Sequence, residues 1–177
     1  MLDDGGSRVY AACYHIYRAP DGGFTKGDFM GSPELLAPCG LYCGLCAILI
    51  ADRDNNDKFK EKLTGVYGVP AGDLHCKGCM SEDVFGYCRV CPIRDCTQQK
   101  GLEGCHRCDE FPCSMIENFP LPVGKKVILR AIPEWRDLGT EAWVKSELAR
   151  YHCPACGEAT FRGARRCRGC GEAVSLD

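Results

Sequence analysis

Two stretches in the last third of the chain carry apolar residues at helical spacing. In residues 122–132, Val123, Val127 and Ile128 fall on one face, which predicts an amphipathic helix that packs this face inward. Proline cannot donate the backbone hydrogen bond that a helix interior requires. Pro133 is therefore predicted to end this helix.

A second helix is predicted over residues 140–151, with Thr140 as its N-cap. Its apolar stripe consists of Trp143, Val144, Leu148 and Tyr151. Such a narrow stripe more often packs against its own domain than forms a groove for a partner. We therefore expect both helices to pack into the core.

Between residues 47 and 72 the apolar pattern is shorter and more broken. The apolar run Ala47–Ala51 predicts a short buried helix, and a second helix is predicted over residues 58–63. Its candidate caps are Asn55, Asn56 and Asp57. Glycines and a proline directly after this helix predict a return to loops.

A cysteine pattern then occurs twice with few apolar residues between its members. The spacing C-x2-C-x4-C describes two sets: Cys88, Cys91 and Cys96, and then Cys105, Cys108 and Cys113. Ordinary core packing cannot order this region, because it lacks the apolar side chains to do so. The repeat predicts one small metal-gripping turn that is used twice.

Composition supports the expectation that metal replaces part of the core. The hydrophobic share is 45% and includes 16 cysteines. Without the cysteines it falls to roughly 36%, below the ordinary share of ~45–50%. A chain with so few core-forming side chains is expected to need cross-links or metals. The net charge of -2 gives no indication of a polyanion partner.

The cysteines are interpreted as metal ligands and not as disulfides. No apolar run is long enough for a signal peptide or a membrane span, so a membrane partner is not expected and the chain is predicted to be cytoplasmic. Thiols stay reduced in that compartment. C-x2-C pairs recur along the chain, and this spacing lets two thiolates grip one ion from a tight turn.

The most specific pattern is C-x2-C-x10-C-x2-C near the C-terminus. Its members are Cys153, Cys156, Cys167 and Cys170. A glycine follows each pair, at Gly157 and Gly171, and permits the positive φ that aims backbone N–H groups at the sulfurs. Four thiolates predict a closed, structural zinc site in a β zinc ribbon, although iron accepts the same ligands.

Eleven further cysteines are predicted to bind metal. They are Cys39, Cys43, Cys46, Cys76, Cys79, Cys88, Cys91, Cys96, Cys105, Cys108 and Cys113. Eleven is not a multiple of four, and two allocations fit. In the first, the eight thiols of residues 76–113 form two sites and the Cys39 triad recruits a fourth ligand. The second pairs C-x2-C units across loops: Cys43/Cys46 with Cys76/Cys79, and Cys88/Cys91 with Cys105/Cys108.

Three histidines adjoin cysteines, namely His75, His106 and His152. They are predicted to be exposed neighbours, because adjacent residues rarely reach the same ion. Zinc is the predicted metal, since the cysteine order matches neither the bacterial nor the plant-type ferredoxin spacing. An iron–sulfur cluster in the central region is the alternative cofactor.

No catalytic constellation is recognised in the sequence. A glycine-rich phosphate loop, H-E-x-x-H and G-x-S-x-G are all missing from it, so enzymatic activity is not predicted. The carboxylates Asp52, Asp54 and Asp57 lie in a polar run and are interpreted as a solvated face.

Four arginines near the C-terminus are the candidate contacts for a nucleic-acid partner. They are Arg162, Arg165, Arg166 and Arg168. Arginines can contact phosphates, but acidic residues offset these, and no aromatic series beyond Phe161 is interleaved for base stacking. Nucleic-acid binding is therefore disfavoured, while a protein partner stays open.

The cysteine motifs together resemble a known family. They begin with APCGLYCGLC at residues 37–46 and continue with CKGC at 76–79, CRVCPIRDC at 88–96 and CHRCDEFPC at 105–113. Over about residues 36–120 the chain resembles the bacterial and archaeal cysteine-rich domain-of-unknown-function family 3795. The resemblance implies a metal-binding domain without an established activity, followed in some members by a C-terminal zinc ribbon.

The predicted fold is a small, irregular, metal-stabilised α+β structure with short helices around cysteine-rich knuckles and a C-terminal β zinc ribbon. The predicted divisions are a leader (1–29), a cysteine-rich domain (30–120), a helical connector (121–151) and the zinc ribbon (152–177). The leader is expected to be disordered or to precede a natural start at Met30. It contains Cys13, which is expected to be a free thiol.

Two function classes follow from these patterns. In the first, the protein is a binding or adaptor module whose zinc is structural. In the second, the central cysteines hold an iron–sulfur cluster and the protein transfers electrons or senses redox state. We expect at least about three metal ions per chain, since four thiolates close one site.

Overall fold

The computed structural model describes residues 32–177, and Pro33–Asp177 form one compact unit. The predicted leader, the proposed start at Met30 and Cys13 lie outside the described residues. The predicted boundaries after residues 120 and 151 fall inside the compact unit and stay predictions.

The part of the chain that the structure describes contains seven α-helices joined by short turns. They are α1 (Ala47–Arg53), α2 (Asp57–Tyr67), α3 (Gly86–Arg89), α4 (Pro92–Gln99), α5 (Ser114–Glu117), α6 (Pro122–Leu138) and α7 (Thr140–Arg150). Single 3-10 turns form at Pro33–Leu35, Cys43–Leu45, Ala71–Asp73 and Cys105–Arg107. None of the described helices is long and apolar enough to cross a membrane.

The predicted α+β class and the C-terminal β zinc ribbon are wrong. Residues 32–177 are helical and contain no β-strand; the C-terminal segment has two isolated antiparallel bridges, His152 with Ala159 and Arg166 with Ala173. The chain between these bridges pairs elsewhere, because Arg162 donates its backbone N–H to the carbonyl of Leu45 at 3.0 Å. Each cysteine turn therefore closes on itself, and no ladder extends between the two.

Helix α6 continues past the proline that was predicted to end it. Pro133 lies inside the helix, which runs to Leu138. The buried face of α6 carries Ile128, Ile132 and Trp135, all 0% exposed. Burial of these side chains outweighs the cost of about 3 kcal/mol that an internal proline imposes on a helix.

The ends of α2 and α7 show which cap predictions hold. Asn56 accepts a hydrogen bond from the backbone N–H of Phe59 at 3.0 Å and caps α2, which ends at Gly68 in the left-handed conformation. Thr140 does not cap α7, which has Gly139 at its N-cap. The Thr140 hydroxyl instead accepts a hydrogen bond from Nε1 of Trp135 at 3.0 Å.

The core is built around four stacked or edge-packed rings, which we call the aromatic column: His106, Trp135, Trp143 and Tyr42. The Trp135 ring lies parallel to the His106 ring at 3.9 Å and to the Trp143 ring at 4.2 Å. Tyr42 meets Trp143 edge-on at 6.1 Å. Val127 and Ile128 of the first helical stripe and all four residues of the second pack into this core, which confirms these positions as core faces. Val123, which was predicted on the same face as Val127, is wrong as a core residue because its side chain is 46% exposed.

A buried ion pair joins α6 to α7 beside the aromatic column. The Glu147 side chain is fully buried, and its carboxylate accepts hydrogen bonds from Nη1 and Nη2 of Arg130 at 2.5 and 3.1 Å. The same guanidinium also contacts Glu134 at 2.8 Å. A carboxylate buried in this way depends on its cationic partner, because it has lost its water.

Glu147→Gln is expected to destabilise the protein by about 2 kcal/mol, since the buried guanidinium bonds lose their charged acceptor. The measurement is the free energy of unfolding in urea, with metal retained. Glu141→Gln is the matched control on the same helix: Glu141 pairs with Lys145 at 2.7 Å with both side chains exposed, so no measurable change is expected. Equal losses in the two variants would contradict the prediction.

Candidate metal centres

The four C-terminal cysteines converge on one point and form what we call the C-terminal site: Cys153, Cys156, Cys167 and Cys170. Their sulfur atoms all lie within 4.8 Å of one another. Two of the sulfur–sulfur distances are 3.7 Å (Cys153–Cys170) and 3.6 Å (Cys156–Cys167). A tetrahedron with Zn–S bonds of ~2.3 Å has edges of about 3.8 Å. The spacing fits one tetrahedral ion.

Two similar turns position these sulfurs. Gly157 and Gly171 have φ values of 74° and 78°, and each returns its N–H to the carbonyl of the first cysteine in its pair, at 2.8 and 3.1 Å. The positive φ expected at both glycines is therefore confirmed. Each turn closes tightly enough to bring its two cysteines to the same ion.

Backbone donors also favour the metal-binding form of one ligand. Hydrogen bonds from the N–H groups of Cys170 and then Gly169 lower the pKa of Cys167 to about 7, against an opposing effect of desolvation. The Gly169 N–H lies 3.3 Å from the Cys167 sulfur. Because the thiolate is the form that binds metal, these donors prepare Cys167 for ligation at neutral pH.

Five central cysteines gather where the first cysteine turn meets the CKGC loop. This first central group consists of Cys43, Cys46, Cys76, Cys79 and Cys88. The Cys79 N–H donates to the Cys43 sulfur at 3.2 Å. Burial, and then the nearby thiolates of Cys46, Cys76 and Cys43, raise the pKa of Cys88 to about 12. Thiols that repel each other's charge in this way are readily ionised by a shared cation.

Asp52 positions this group, although its sequence context suggested a solvated face. Its side chain is 13% exposed and contacts Lys60 Nζ and His75 Nδ1, each at 2.5 Å. It also accepts the Cys76 backbone N–H at 3.2 Å. The carboxylate thus fastens the CKGC loop to α1. Nothing in the local sequence signals this role, because the partners lie 8 and 24 residues away.

A second central group lines one cavity with four cysteines: Cys96, Cys105, Cys108 and Cys113. The cavity measures about 30 Å³. Cys96 comes from α4, Cys105 begins a 3-10 turn, Cys108 ends that turn and Cys113 precedes α5. The Cys105 N–H donates to the carbonyl of Pro38 at 2.8 Å, which anchors this turn to the start of the domain.

Two cysteines lie between the central groups. Burial raises the pKa of Cys39 to about 12; the Leu41 N–H opposes this, and the thiolates of Cys91, Cys105 and Cys43 add to it. Cys39 therefore has neighbours from both groups. Cys88 is likewise within electrostatic reach of Cys91. The structure does not separate Cys39 and Cys91 into either group.

The central sulfurs are spaced differently from those of the C-terminal site. Among residues 32–177, no other set of three or more Cys, His, Asp or Glu side chains brings its ligand atoms within 4.8 Å of one another. Each predicted allocation agrees with part of the observed grouping, and both stay predictions. Cys43/Cys46 lie with Cys76/Cys79 as in the second allocation, but Cys105/Cys108 share a cavity with Cys96 and Cys113.

The histidines next to cysteines have different surroundings. His75 contacts Asp52 through Nδ1 and Asp83 through Nε2, each at 2.5 Å, so carboxylates occupy both ring nitrogens. His152 is exposed, as predicted. His106 is 4% exposed and stacks on Trp135, so its prediction as an exposed neighbour is wrong. The imidazole of His106 is buried because it stacks on the flat face of the Trp135 ring.

The arginines considered for phosphate contacts are largely engaged within the chain. Arg162 donates Nη2 to the carbonyl of Tyr42 at 2.9 Å. Arg166 donates Nη1 to the carbonyl of Gly171 at 3.2 Å. The Arg168 guanidinium lies 5.8 Å from the centre of the Phe59 ring and 6.0 Å from that of Phe161. The contacts of Arg162 with Tyr42 and of Arg168 with Phe59 hold the C-terminal segment against the rest of the domain.

Comparison with known proteins finds the same family that the cysteine motifs resemble. Residues 35–118 match the family model described as a protein of unknown function (DUF3795), which confirms the suspected resemblance. No curated protein and no solved structure matches the chain. The matched segment contains both central groups, and the C-terminal site lies outside it.

Cys156→Ser is expected to lose one bound zinc ion per chain, because three thiolates no longer close the tetrahedron. Metal content by elemental analysis checks this, and trypsin cleavage within residues 152–177 should become faster. Ala155→Ser is the matched control, since it places a serine in the same exposed turn and leaves all four sulfurs. Unchanged zinc content in Cys156→Ser would contradict the site.

Gly78→Ala is expected to destabilise the protein by about 2 kcal/mol. Gly78 has φ +130°, and a Cβ there would lie 2.3 Å from the backbone oxygen of Glu34. Thermal unfolding measures the effect. In Gly72→Ala, where a Cβ meets nothing within 4 Å, the midpoint should hardly move. A tolerated Gly78→Ala would mean that the CKGC loop does not depend on this close approach.

Proposed function

We propose that the chain, whose residues 35–118 match the model of the family of unknown function DUF3795, is a metal-binding protein with a structural zinc ion in its C-terminal site. Its central cysteines bind further metal. The metals organise a compact binding or adaptor module, and the protein acts through the surface that they hold in place.

The spacing of the C-terminal sulfurs carries this proposal. Distances of 3.6 and 3.7 Å are those of thiolates on one tetrahedral ion, and four thiolates leave no open position for a substrate or water. Zinc suits such a closed site because it has no redox chemistry and accepts tetrahedral geometry without strain. A closed site supports a structural role for this ion and gives it none in catalysis.

The position of the site supports a role as a clamp. Arg162 lies in the segment that joins the two cysteine pairs. It donates hydrogen bonds to the carbonyl groups of Leu45 and Tyr42, next to the first central group. An ion that closes the two pairs also fixes the chain between them. Metal binding at the C-terminus thereby stabilises the attachment of residues 152–177 to the cysteine-rich domain.

A second function, electron transfer or redox sensing by an iron–sulfur protein, is favoured by the spacing of the central thiols. In residues 39–113 no three thiol sulfurs lie within 4.8 Å of one another. In an iron–sulfur cluster, the four cysteine thiolates are distributed over two or four iron atoms, so they do not all stand as close together as around a single ion. Nucleic-acid binding has less support, since three of the four C-terminal arginines have partners within the chain.

Metal removal tests the proposed function. Bound structural zinc contributes ~10–16 kcal/mol of apparent free energy, whereas a whole domain is stable by only ~5–15 kcal/mol. We therefore expect the chelated protein to lose its cooperative thermal transition under reducing conditions and to regain it when zinc is restored. Calorimetry is the measurement. A metal-free, reduced chain that still unfolds cooperatively at the original temperature would contradict the proposal.

A further inference from the structure

We propose that Cys96, Cys105, Cys108 and Cys113 together bind one iron–sulfur cluster in the cavity that they line. This inference rests on the second of the two proposed functions and assigns its cofactor to four named ligands. The other seven central cysteines, from Cys39 to Cys91, are not part of this cluster.

The first argument is the number of ligands at one place. Four thiols contributed by α4, by one 3-10 turn and by the start of α5 open onto the same cavity. Four cysteine thiolates are the usual complement of both the two-iron and the four-iron cluster. No other protein side chain is needed to complete the coordination.

The second argument is the size of the space between the sulfurs. In the C-terminal site, sulfurs 3.6 and 3.7 Å apart enclose one ion and nothing more. No three sulfurs of the second central group approach within 4.8 Å. One zinc ion cannot reach all four in this arrangement, whereas a group of several metal and sulfide atoms can.

The third argument is the wall of the cavity. Apolar side chains complete it: Ile93, Leu102, Phe111, Met115 and Ile116. Such a wall excludes water, which protects a cluster from hydrolysis and loss of iron. Lys100 also lines the cavity, and its ammonium lies 2.8 Å from Glu110. Glu110 lines the cavity as well, so this ion pair adds no net charge beside the four thiolates.

The decisive experiment compares iron, acid-labile sulfide and zinc in the full chain purified without oxygen. The wild type is expected to contain iron and sulfide in equal numbers, with visible charge-transfer absorption, together with zinc. In Cys108→Ser, iron and sulfide should fall together by the content of one cluster while zinc is unchanged. In Cys170→Ser, the reverse is expected: zinc falls by one ion and iron and sulfide stay.

The outcomes separate this proposal from the broader one. If Cys108→Ser loses zinc and no iron, the cluster is overturned while metal binding by the central cysteines stands. If Cys108→Ser loses no metal, these four cysteines are not ligands. If the wild type contains neither iron nor zinc, the proposed function fails as well.

A measurement on the wild type keeps the test independent of how Cys108→Ser folds. Cys96, Cys108 and Cys113 are partly exposed, so an alkylating reagent can reach them if nothing covers their sulfurs. With the cluster bound, peptide mapping is expected to find all three protected, and to find them labelled together once iron is chelated. Rapid labelling of these three thiols in the iron-containing protein would overturn the proposal.

Discussion

The structure depends on the stacking of Trp135 between His106 and Trp143. The two ring contacts, at 3.9 and 4.2 Å, join the turn that carries Cys105 to the helices α6 and α7. Tyr42 extends the column to the neighbouring Cys43. Aromatic faces bury large areas with defined geometry, so the column sets where the two cysteine turns stand relative to the helices.

Around this column, candidate metal ligands are also core residues. Cys39, Cys43, Cys79 and Cys105 are members of the main hydrophobic cluster and are buried next to Leu35 and Ile116. A thiol in such surroundings is neutral and apolar, and it becomes a ligand only when a cation offsets the cost of ionising it. Metal binding by these cysteines, as proposed, would therefore be coupled to core formation in this domain.

The C-terminal site and the second central group differ in the spacing of their sulfur atoms, and therefore in the kind of metal group that each suits. At the C-terminus, each turn brings its two sulfurs to the same point, because a glycine after the second cysteine reverses the chain. In the second central group, the cysteines come from a helix, a turn and a helix start, and their sulfurs do not converge as closely as those of the C-terminal site. The first arrangement suits one ion and the second suits a larger group.

The local pattern was sufficient for several features. Helical spacing identified the buried faces of α6 and α7, and Asn56 was among the predicted caps of α2. The motifs predicted the family whose model matches residues 35–118, and the C-x2-C pairs predicted the four C-terminal cysteines whose sulfurs converge. These features depend on residues within about one turn of each other, where spacing alone determines which side chains meet.

Other features were decided by contacts between distant residues. Pro133 stays inside α6 because the buried face beyond it includes Trp135, and Arg162 pairs with Leu45 instead of completing a β-ribbon. Asp52 fastens a loop 24 residues away, and Cys96 shares a cavity with Cys105 and not with its nearer neighbour Cys91. By itself, the sequence determined the cysteine turns and the residue types that are suited to hold a metal. The tertiary structure decided which cysteines lie near one another, because their positions depend on how the aromatic column packs the segments together.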